Sequence, residues 1–353
     1  MISERISLPE LAGGAAQAPL LDDVGRPVDP LLIVDLDRPA EPALLQAARD
    51  AATDSDRILV GLRTRESPDE PWHDLLAALD VTLTPTGPGA PPRSCVPVTA
   101  PTAQAQALHV AATAQPQAAL VLAQVLRASA GLDVRRALDV ESFAYSTLLG
   151  GAEFRRWLAA RGSRPLPPPA PAPPVLVERA GEHLLITLNR PERRNAYGRE
   201  VRDALVDALR VAALDTSIGA VTLRGAGPVF CSGGDLDEFG TTPDAATAHL
   251  VRTRAGAGDL LHRIADRTEV CLHGACVGAG IELAAFAGRV VARADTTLRL
   301  PEVGMGLIPG AGGTVGIPRR IGRWRTLYLA LSGTRLDAAT AMRWGLVDTI
   351  TPT

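Results

Sequence analysis

The chain has 353 residues, of which 46% are hydrophobic but only 3% aromatic, so Ala, Leu and Val must fill the interior of one large domain or two smaller ones. Its net charge of −3 leaves no basic excess for binding nucleic acid or an anionic membrane surface. Because no apolar run approaches the roughly 18 residues of a membrane span, and no signal core follows residues 1–5, we expect a soluble, cytoplasmic protein.

The first predicted element is a short strand at residues 33–39, which ends in an Arg-Pro turn signal. An Ala/Leu-rich pattern typical of a helix covers residues 42–52, and a second strand is predicted at residues 58–63. Beyond a Pro/Gly-rich stretch at residues 84–92, a long helical region is predicted over about residues 101–161. This order indicates a β-α-β unit followed by a group of helices.

A proline-rich segment at residues 163–174 then divides the chain. Such a composition maintains neither a helix nor a central strand, and it favours an extended spacer. We therefore expect a first module at residues 1–162, a linker at residues 163–174 and a second module at residues 175–353.

The second module opens like the first. A strand at residues 185–191 also ends in Arg-Pro, a helical pattern follows at residues 200–214, and the next strand at residues 220–224 ends in Leu-Arg, as the strand at residues 58–63 does. Two β-α-β units that start alike indicate a duplication, the alternative being a chance similarity of two common units.

Two glycine-rich turns come next, and each follows an apolar strand. The first comprises residues 230–235, with Asp235 placed to cap a helix that begins near Leu236, and the second comprises residues 278–280. Glycines let the backbone approach a ligand closely, and the first turn of a helix presents unpaired N–H groups. Either turn alone is more typical of an ordinary connection, but the two in succession predict a pair of N–H donors that can stabilise an oxyanion.

Two carboxylates follow the second turn. Glu282 lies in an otherwise apolar helical pattern and is predicted to be buried, and Glu302 follows Pro301 in a loop rich in Gly and Pro. Glu282 could simply stabilise its helix, and Glu302 could be an exposed loop acid. If both face one site, their like charges must raise one pKa, which leaves one acid and one base at neutral pH. With paired amide donors, this predicts chemistry on a thioester.

Further motifs continue this order over about residues 175–348. They lie at residues 189–191, 195–196, 230–236, 278–284, 300–302, 309–314, 318–322, 331–333 and 345–347. In this order they resemble the enoyl-CoA hydratase/isomerase (crotonase) family over roughly half of the chain. The resemblance implies an α/β fold with a crotonase-like (ββα-spiral) core.

By this resemblance, the N–H groups of Gly234 and Ala279 form the oxyanion hole, and Glu282 and Glu302 are the catalytic acids. Both carboxylates would hold one water molecule, which adds syn across the 2,3 double bond of an enoyl-CoA thioester. The resemblance therefore implies an enoyl-CoA hydratase, a lyase of lipid metabolism. The alternatives are an isomerase or another acyl-CoA lyase with the same oxyanion hole, and a non-catalytic scaffold that keeps only the fold.

The resemblance also implies a bent coenzyme A that contacts Arg193, Arg194, Asn195 and Ala196, with Asp235 beside the oxyanion hole. The charges of Arg193 and Arg194 could equally belong to a solvated turn. Coenzyme A is part of the substrate, so no separate cofactor is expected. The implied partners are the acyl-CoA thioester and further copies of the chain, in a trimer or hexamer.

Two residues that invite nucleophile or base roles are assigned neither. Cys231 ends an apolar strand, and His273 occupies a position where the family tolerates Asn or His. The four cysteines form no CxxC pair and share no metal-ligand spacing with the six His, so we expect free thiols and no metal.

The second module departs from the family near its end, because a typical member continues past residues 345–348 into helices that cover the acyl pocket. The patterns at residues 141–146 and 153–158 of the first module resemble those closing helices. We therefore expect residues 93–162 to cover the catalytic core, from the same chain or from a neighbouring subunit. The first module has neither glycine-rich motif, so it is expected to be a degenerate crotonase-like module without an active site.

Overall fold

The structure is a computed structural model that describes residues 5–65, 72–87, 89 and 91–352. Residues 1–4, to which the absence of a predicted signal segment refers, lie outside these ranges. Positions 88 and 90 of the predicted Pro/Gly-rich stretch lie outside them as well. Within the described ranges, no helix is both long and apolar enough to cross a membrane.

The first module alternates strands with helices and then continues in helices alone. Its strands are β1 (Arg5–Ile6), β2 (Leu31–Asp35), β3 (Ile58–Leu62), β4 (Val81–Pro85) and β5 (Cys95–Val98). Its helices are α1 (Leu8–Ala12), α2 (Pro42–Thr53), α3 (His73–Ala78), α4 (Pro101–Ala114), α5 (Pro116–Ala128), α6 (Val134–Leu149) and α7 (Ala152–Arg161).

The second module mixes short strands and helices throughout. Its strands are β6 (Val175–Ala180), β7 (His183–Leu188), β8 (Ala220–Gly225), β9 (Thr268–Leu272), β10 (Ala275–Val277), β11 (Arg289–Arg293), β12 (Thr297–Arg299), β13 (Leu336–Asp337) and β14 (Thr349–Thr351). Its helices are α8 (Arg199–Leu214), α9 (Ala245–Ala255), α10 (Gly258–Arg263), α11 (Ala279–Glu282), α12 (Gly313–Ile321), α13 (Arg323–Ser332) and α14 (Ala338–Trp344).

A parallel sheet in the order β1-β2-β3-β4-β5 forms the centre of the first module. Successive side chains of a strand point to opposite faces, so Ile33 and Val60 pack on one side and Val34 and Leu59 on the other. Helices α4, α5 and α13 cover the first side, and α1, α2 and α3 cover the second. Because α13 belongs to the second module, that module helps to bury the sheet of the first.

The second module contains a sheet in the order β14-β11-β9-β8-β7-β6, in which only the β6–β7 pair is antiparallel. A smaller sheet, in the order β10-β12-β13, carries the chain into the second glycine-rich turn. Both predicted β-α-β units are present, as β2-α2-β3 and β7-α8-β8, each with parallel strands.

The prediction of a helix that begins near Leu236 is wrong, because only a single 3-10 turn, Leu236–Glu238, follows the cap. Asp235 does cap this turn, since its Oδ1 accepts the N–H of Asp237 at 3.1 Å. Gly240 then adopts a φ of 80°, a left-handed conformation that ends any helical path.

The two modules share one continuous hydrophobic core, which includes Leu122 of the first and Leu329 of the second. A buried ion cluster also joins them. The carboxylate of Asp80, in the first module, accepts hydrogen bonds from Arg127 Nε at 2.9 Å and from Arg323 Nη1, in the second, at 3.2 Å. The modules are therefore held together by both apolar and ionic contacts.

Candidate active site

The two glycine-rich turns start side by side. Cys231 and Cys276 form a parallel bridge, and the N–H of Val277 donates to the carbonyl of Cys231 at 3.0 Å. In parallel pairing the carboxyl ends of both segments lie at the same edge, so the two turns leave the bridge next to each other. A methyl group built on Gly233 would lie only 3.1 Å from the oxygen of Val277, so the turns are in close contact.

Each turn contains a main-chain amide that the protein itself does not use. In the part of the chain that the structure describes, the N–H groups of Gly234 and Ala279 make no hydrogen bond, and both residues line one cavity. Each of these amides follows a glycine in a left-handed conformation, Gly233 at a φ of 95° and Gly278 at a φ of 48°. Two unused donors facing one cavity are what an oxyanion hole requires.

The side chains of Glu282 and Glu302 converge beside the second turn. A methyl group built on Gly278 would lie 2.4 Å from Glu302 Oε1 and 3.7 Å from Glu282 Oε1, so both oxygens approach one point. Glu282 is only 2% exposed, which confirms its predicted burial, whereas Glu302 is half-buried. The structure therefore brings the two predicted acids together.

The two carboxylates differ in their hydrogen bonds. Glu282 Oε2 accepts the N–H groups of Ala311 at 2.7 Å and Gly313 at 2.9 Å. Glu302 Oε2 is buried and has no hydrogen-bond partner among the described residues. Because N–H donors favour the ionised form of a carboxyl group, Glu282 is the better stabilised anion of the two.

A third buried carboxylate, Glu141 of α6, reaches the site from the first module, and the sequence analysis missed it. Its Oε1 accepts the N–H of Gly312 at 2.7 Å, and its Oε2 accepts the N–H of Thr314 at 2.8 Å and the hydroxyl of the same residue at 2.7 Å. The loop at residues 309–314 thus donates alternate amides to Glu282 and to Glu141.

The position of Glu141 carried a signal that could have found it. Helix α6 buries Val134, Ala137 and Leu148 on one face, and Glu141 follows Ala137 by four residues on that same face. An acid within the apolar stripe of an amphipathic helix predicts a buried carboxylate with hydrogen-bond partners, although not which partners.

Burial raises the pKa values of these carboxyl groups, to about 8 for Glu302 and to about 7 for Glu141. The pKa of Glu282 lies well above its ordinary value, first through burial and then through the charges of Glu302 and Glu141. Like charges this close do not all ionise. The site therefore keeps at least one proton at neutral pH, as the predicted pair of acids requires.

These groups face a cavity of about 270 Å³. Helix α6 lines one wall with Leu138, Glu141, Ser142 and Tyr145. The remaining walls come from residues of the second module at 197–202, 234–239 and 252–259, and from the loop at 310–312. The cavity is therefore built by both modules of the same chain.

Of the predicted coenzyme A contacts, only Asp235 belongs to the described lining of this cavity, which does not include Arg193, Arg194, Asn195 or Ala196. Arg193 Nε and Nη2 instead donate to the two carboxylate oxygens of Asp235, at 2.8 and 2.7 Å. This charge pair fixes the end of the first glycine-rich turn, and the contacts with coenzyme A stay predictions.

Asn195 is fully buried, and its side chain is bonded to the backbone. Its Oδ1 accepts the N–H of Arg190, and its Nδ2 donates to the carbonyls of Ala226, Val229 and Phe230. These bonds hold the segment that leads into the first glycine-rich turn. Asn195 thus supports the first glycine-rich turn through buried hydrogen bonds.

Cys231 and His273 take no chemical role in this geometry. Burial raises the pKa of the Cys231 thiol to about 12, so a thiolate does not form at neutral pH. His273 Nε2 lies 3.0 Å from the carbonyl oxygen of Gly227, away from the cavity lining.

Comparison with known proteins places these features in a family. A family model described as enoyl-CoA hydratase/isomerase matches residues 179–353. The 2,3-dehydroadipyl-CoA hydratase of Escherichia coli (strain K12) is 36% identical over 178 residues, which cover 50% of this chain and 69% of that protein. The 1,2-epoxyphenylacetyl-CoA isomerase of the same organism is 34% identical over 168 residues, which cover 46% of this chain and 64% of that protein.

Among solved structures, a carnitinyl-CoA dehydratase from Mycobacterium avium 104 is 38% identical, with a TM-score of 0.46, and the match covers 51% of this chain and 71% of that one. The relatives include both hydratases and isomerases, so they establish a family and not one reaction. The predicted α/β, crotonase-like fold class is confirmed, and the chain belongs to the enoyl-CoA hydratase/isomerase (crotonase) family.

Proposed function

We propose that this chain is an enoyl-CoA hydratase, a lyase that adds water syn across the 2,3 double bond of an enoyl-CoA thioester. The observation that carries the proposal is the convergence of Glu282 and Glu302 on one point beside the unused amides of Gly234 and Ala279. Hydration needs a base for the water and an acid for C2 in the same site. Two carboxyl groups that share a proton supply both.

In this reaction the thioester carbonyl oxygen accepts hydrogen bonds from the N–H groups of Gly234 and Ala279. The water oxygen bonds to C3 while Glu282 takes one proton of that water, and the π electrons move onto the carbonyl oxygen as an enolate, which the two amides stabilise. The enolate then collapses as C2 takes the proton of Glu302. Return of the proton from Glu282 to Glu302 restores the starting state.

The roles of the two acids follow from their hydrogen bonds. Glu282 Oε2 accepts two N–H donors and is assigned as the base, whereas Glu302 Oε2 accepts none and is assigned as the acid. When Glu302 is neutral, its charge no longer raises the pKa of Glu282. The pair therefore shares one proton, and the two N–H donors to Glu282 Oε2 favour the arrangement in which Glu302 holds it.

Loss of the enoyl thioester absorbance tests the proposal. The wild type should consume the enoyl thioester, and Glu282→Gln and Glu302→Gln should each lower kcat by at least about 100-fold, because each removes one proton-transfer group. Glu178→Gln, at an exposed position of β6, is the matched control and should leave kcat unchanged. Hydration that survives both active-site substitutions, or a wild type that hydrates no enoyl thioester, would overturn the proposal.

An isomerase is the second candidate, and the description of the matching family model as enoyl-CoA hydratase/isomerase supports it. Double-bond isomerisation moves a proton between two carbons and can proceed with a single carboxylate. Turnover of a 3-enoyl thioester without uptake of water, abolished by only one of the two Glu→Gln substitutions, would indicate that reaction. Absence of acyl-CoA binding in calorimetry would indicate a non-catalytic scaffold.

A further inference from the structure

Arg252 of α9 places a cation in the wall of the active-site cavity. Its guanidinium carbon lies 4.4 Å from the centre of the Tyr145 ring, and its Nε donates to Ser142 Oγ at 3.3 Å. Its Nη2 donates to the carbonyl of Ser142 at 3.4 Å and to Ser146 Oγ. All of these protein partners are uncharged.

No carboxylate of the described residues lies within 4.0 Å of this guanidinium. The carboxylate of Glu141, on the same helix as Tyr145, has both oxygens bonded to Gly312 and Thr314. By contrast, Arg202, which lines the same cavity, is paired with Asp203 at 2.7 Å. Arg252 is a half-buried cation that makes no direct ion pair among the described residues, and the charge of Glu141 attracts it only without contact.

One nitrogen of Arg252, Nη1, is not used by the described residues and is not fully buried. Among the described residues, Nη1 has no hydrogen-bond partner, and it is not among the buried polar atoms that lack one. An unpartnered nitrogen that is not buried has solvent in front of it, and the cavity is the open space that Arg252 lines. A ligand in the cavity can therefore reach it.

The location of Arg252 favours the acyl chain of a ligand over its coenzyme A part. Tyr145, on which the guanidinium stacks, also contacts the loop that binds Glu282, because a methyl group built on Gly310 would lie 2.3 Å from its Cδ2. The ring of Tyr145 thus lies between the Arg252 guanidinium and the loop at residues 309–314, which binds Glu282. Arg199, which is exposed and also lines the cavity, is better placed for a solvated phosphate.

We propose that Arg252 binds a carboxylate at the far end of the acyl chain, so that the substrates are acyl-CoA thioesters of dicarboxylic acids. The inference rests on the proposed function only in taking this cavity as the acyl-CoA site. A guanidinium forms two parallel N–H···O bonds with a carboxylate, and Arg252 has Nη1 free and Nη2 bound only to neutral oxygens.

Calorimetric binding of saturated thioesters tests the inference without requiring turnover. The probes are pairs of equal carbon number that end in a methyl or in a carboxylate, namely butyryl- and succinyl-CoA, hexanoyl- and adipyl-CoA, and octanoyl- and suberyl-CoA. The wild type should bind the carboxylate member more tightly in at least one pair. In Arg252→Gln, the ratio of the two Kd values should fall by at least about 10-fold, as expected for loss of a charge-assisted pair.

Arg254→Gln is the matched control, because Arg254 lies on the same helix but is exposed; it should leave the ratio unchanged. If Arg252→Gln does not fold, Arg252→Lys keeps the cation without its planar fork and should show a reduced preference. A wild type that prefers the carboxylate member of no pair would overturn the inference. So would an Arg252→Gln substitution that weakens the binding of both members of a pair equally, because the guanidinium would then bind a phosphate of coenzyme A. Selective binding without any hydration would instead overturn only the proposed function.

Discussion

Gly278 lies between the first turn and the two carboxylates that we propose as catalytic. Its φ of 48° and ψ of −118° are a backbone conformation that residues other than glycine rarely adopt. A methyl group there would also lie 2.4 Å from Glu302 Oε1. The residue therefore sets both the direction of the Ala279 amide and the room for the acid.

We predict that Gly278→Ala lowers kcat/KM for hydration by at least about 10-fold. The added methyl group would cost about 1–3 kcal/mol of backbone strain and would displace Glu302, and both effects would weaken the stabilisation of the transition state. Steady-state kinetics with a thermal unfolding curve would measure it. The control is Gly304→Ala in the neighbouring turn, where an added Cβ meets no atom within 4 Å. Equal kinetics in the two variants would contradict this role of Gly278.

The raised pKa of Glu302 also predicts how stability depends on pH. The native state holds a proton on Glu302 up to about pH 8, whereas the unfolded chain releases it near the ordinary value of 4.5. Because the native state then binds more protons, the free energy of unfolding should fall as pH rises between these two values.

Glu302→Gln, which cannot ionise, should flatten this decline and be more stable than the wild type at pH 9. Urea unfolding at a series of pH values would measure both effects, with Glu178→Gln as the unaffected control. Hydration by the wild type should decline as pH rises through about 8, because Glu302 then loses the proton that C2 needs. A wild type whose free energy of unfolding rises between pH 4.5 and about 8 would show that the native state does not hold a proton on Glu302.

At the scale of elements, the loop at residues 309–314 is held between two modules. Its amides alternate between Glu282 of the second module and Glu141 of the first, and the next residues begin α12. Helix α6 therefore contacts the same loop that binds Glu282, the proposed base. Glu141 is a positioning residue, since its oxygens contact only the loop amides and the hydroxyl of Thr314.

We predict that Glu141→Gln lowers kcat by about 10-fold with little change in KM, because an amide side chain presents an N–H to one of the donors that Glu141 now accepts. The pH profile should shift as well, since the charge of Glu141 contributes to the raised pKa of Glu282. Thr314→Val, which removes one of the three donors, should have a smaller effect of the same kind. A drop in stability without any change in the pH profile would limit Glu141 to a structural role.

Much of the candidate site could be predicted from the sequence, because it depends on patterns of neighbouring residues. At the second glycine-rich turn, the strand before it, the helix after it and the burial of Glu282 follow from spacing and residue type within a few positions. At the first turn the predicted strand is only the bridge at Cys231. The contact of Glu141 with Thr314 spans 173 residues, and no local pattern predicts which partner a buried acid will meet. The prediction of a helix after Asp235 fails because a good cap signals where a helix starts and not how long it is.

At the scale of the whole molecule, we propose that the chain is one catalytic unit made of a catalytic module at residues 175–353 and a first module at residues 1–162 without an active site of its own. Helix α6 lines the cavity, and α4 and α5 pack against α13 in the shared core. The predicted cover from residues 93–162 thus has the contacts it needs within one chain.

We predict that the modules are soluble and active only together. The chain can be divided after Leu166, which is exposed in the linker. Residues 167–353 produced alone should aggregate or lack hydratase activity, because the apolar surface beneath α4–α6 and the cation of Arg323 would be exposed. Co-expression of both pieces should restore a soluble, active complex on a sizing column. A monodisperse, active 167–353 fragment would refute the proposed dependence.

The most direct measurement of the central claim is a crystal structure with a bound saturated acyl-CoA. The account predicts that the thioester oxygen lies about 3 Å from the amide nitrogens of both Gly234 and Ala279, with C2 and C3 facing the carboxyl groups of Glu282 and Glu302. A thioester bound elsewhere, or one whose oxygen reaches neither amide, would contradict it.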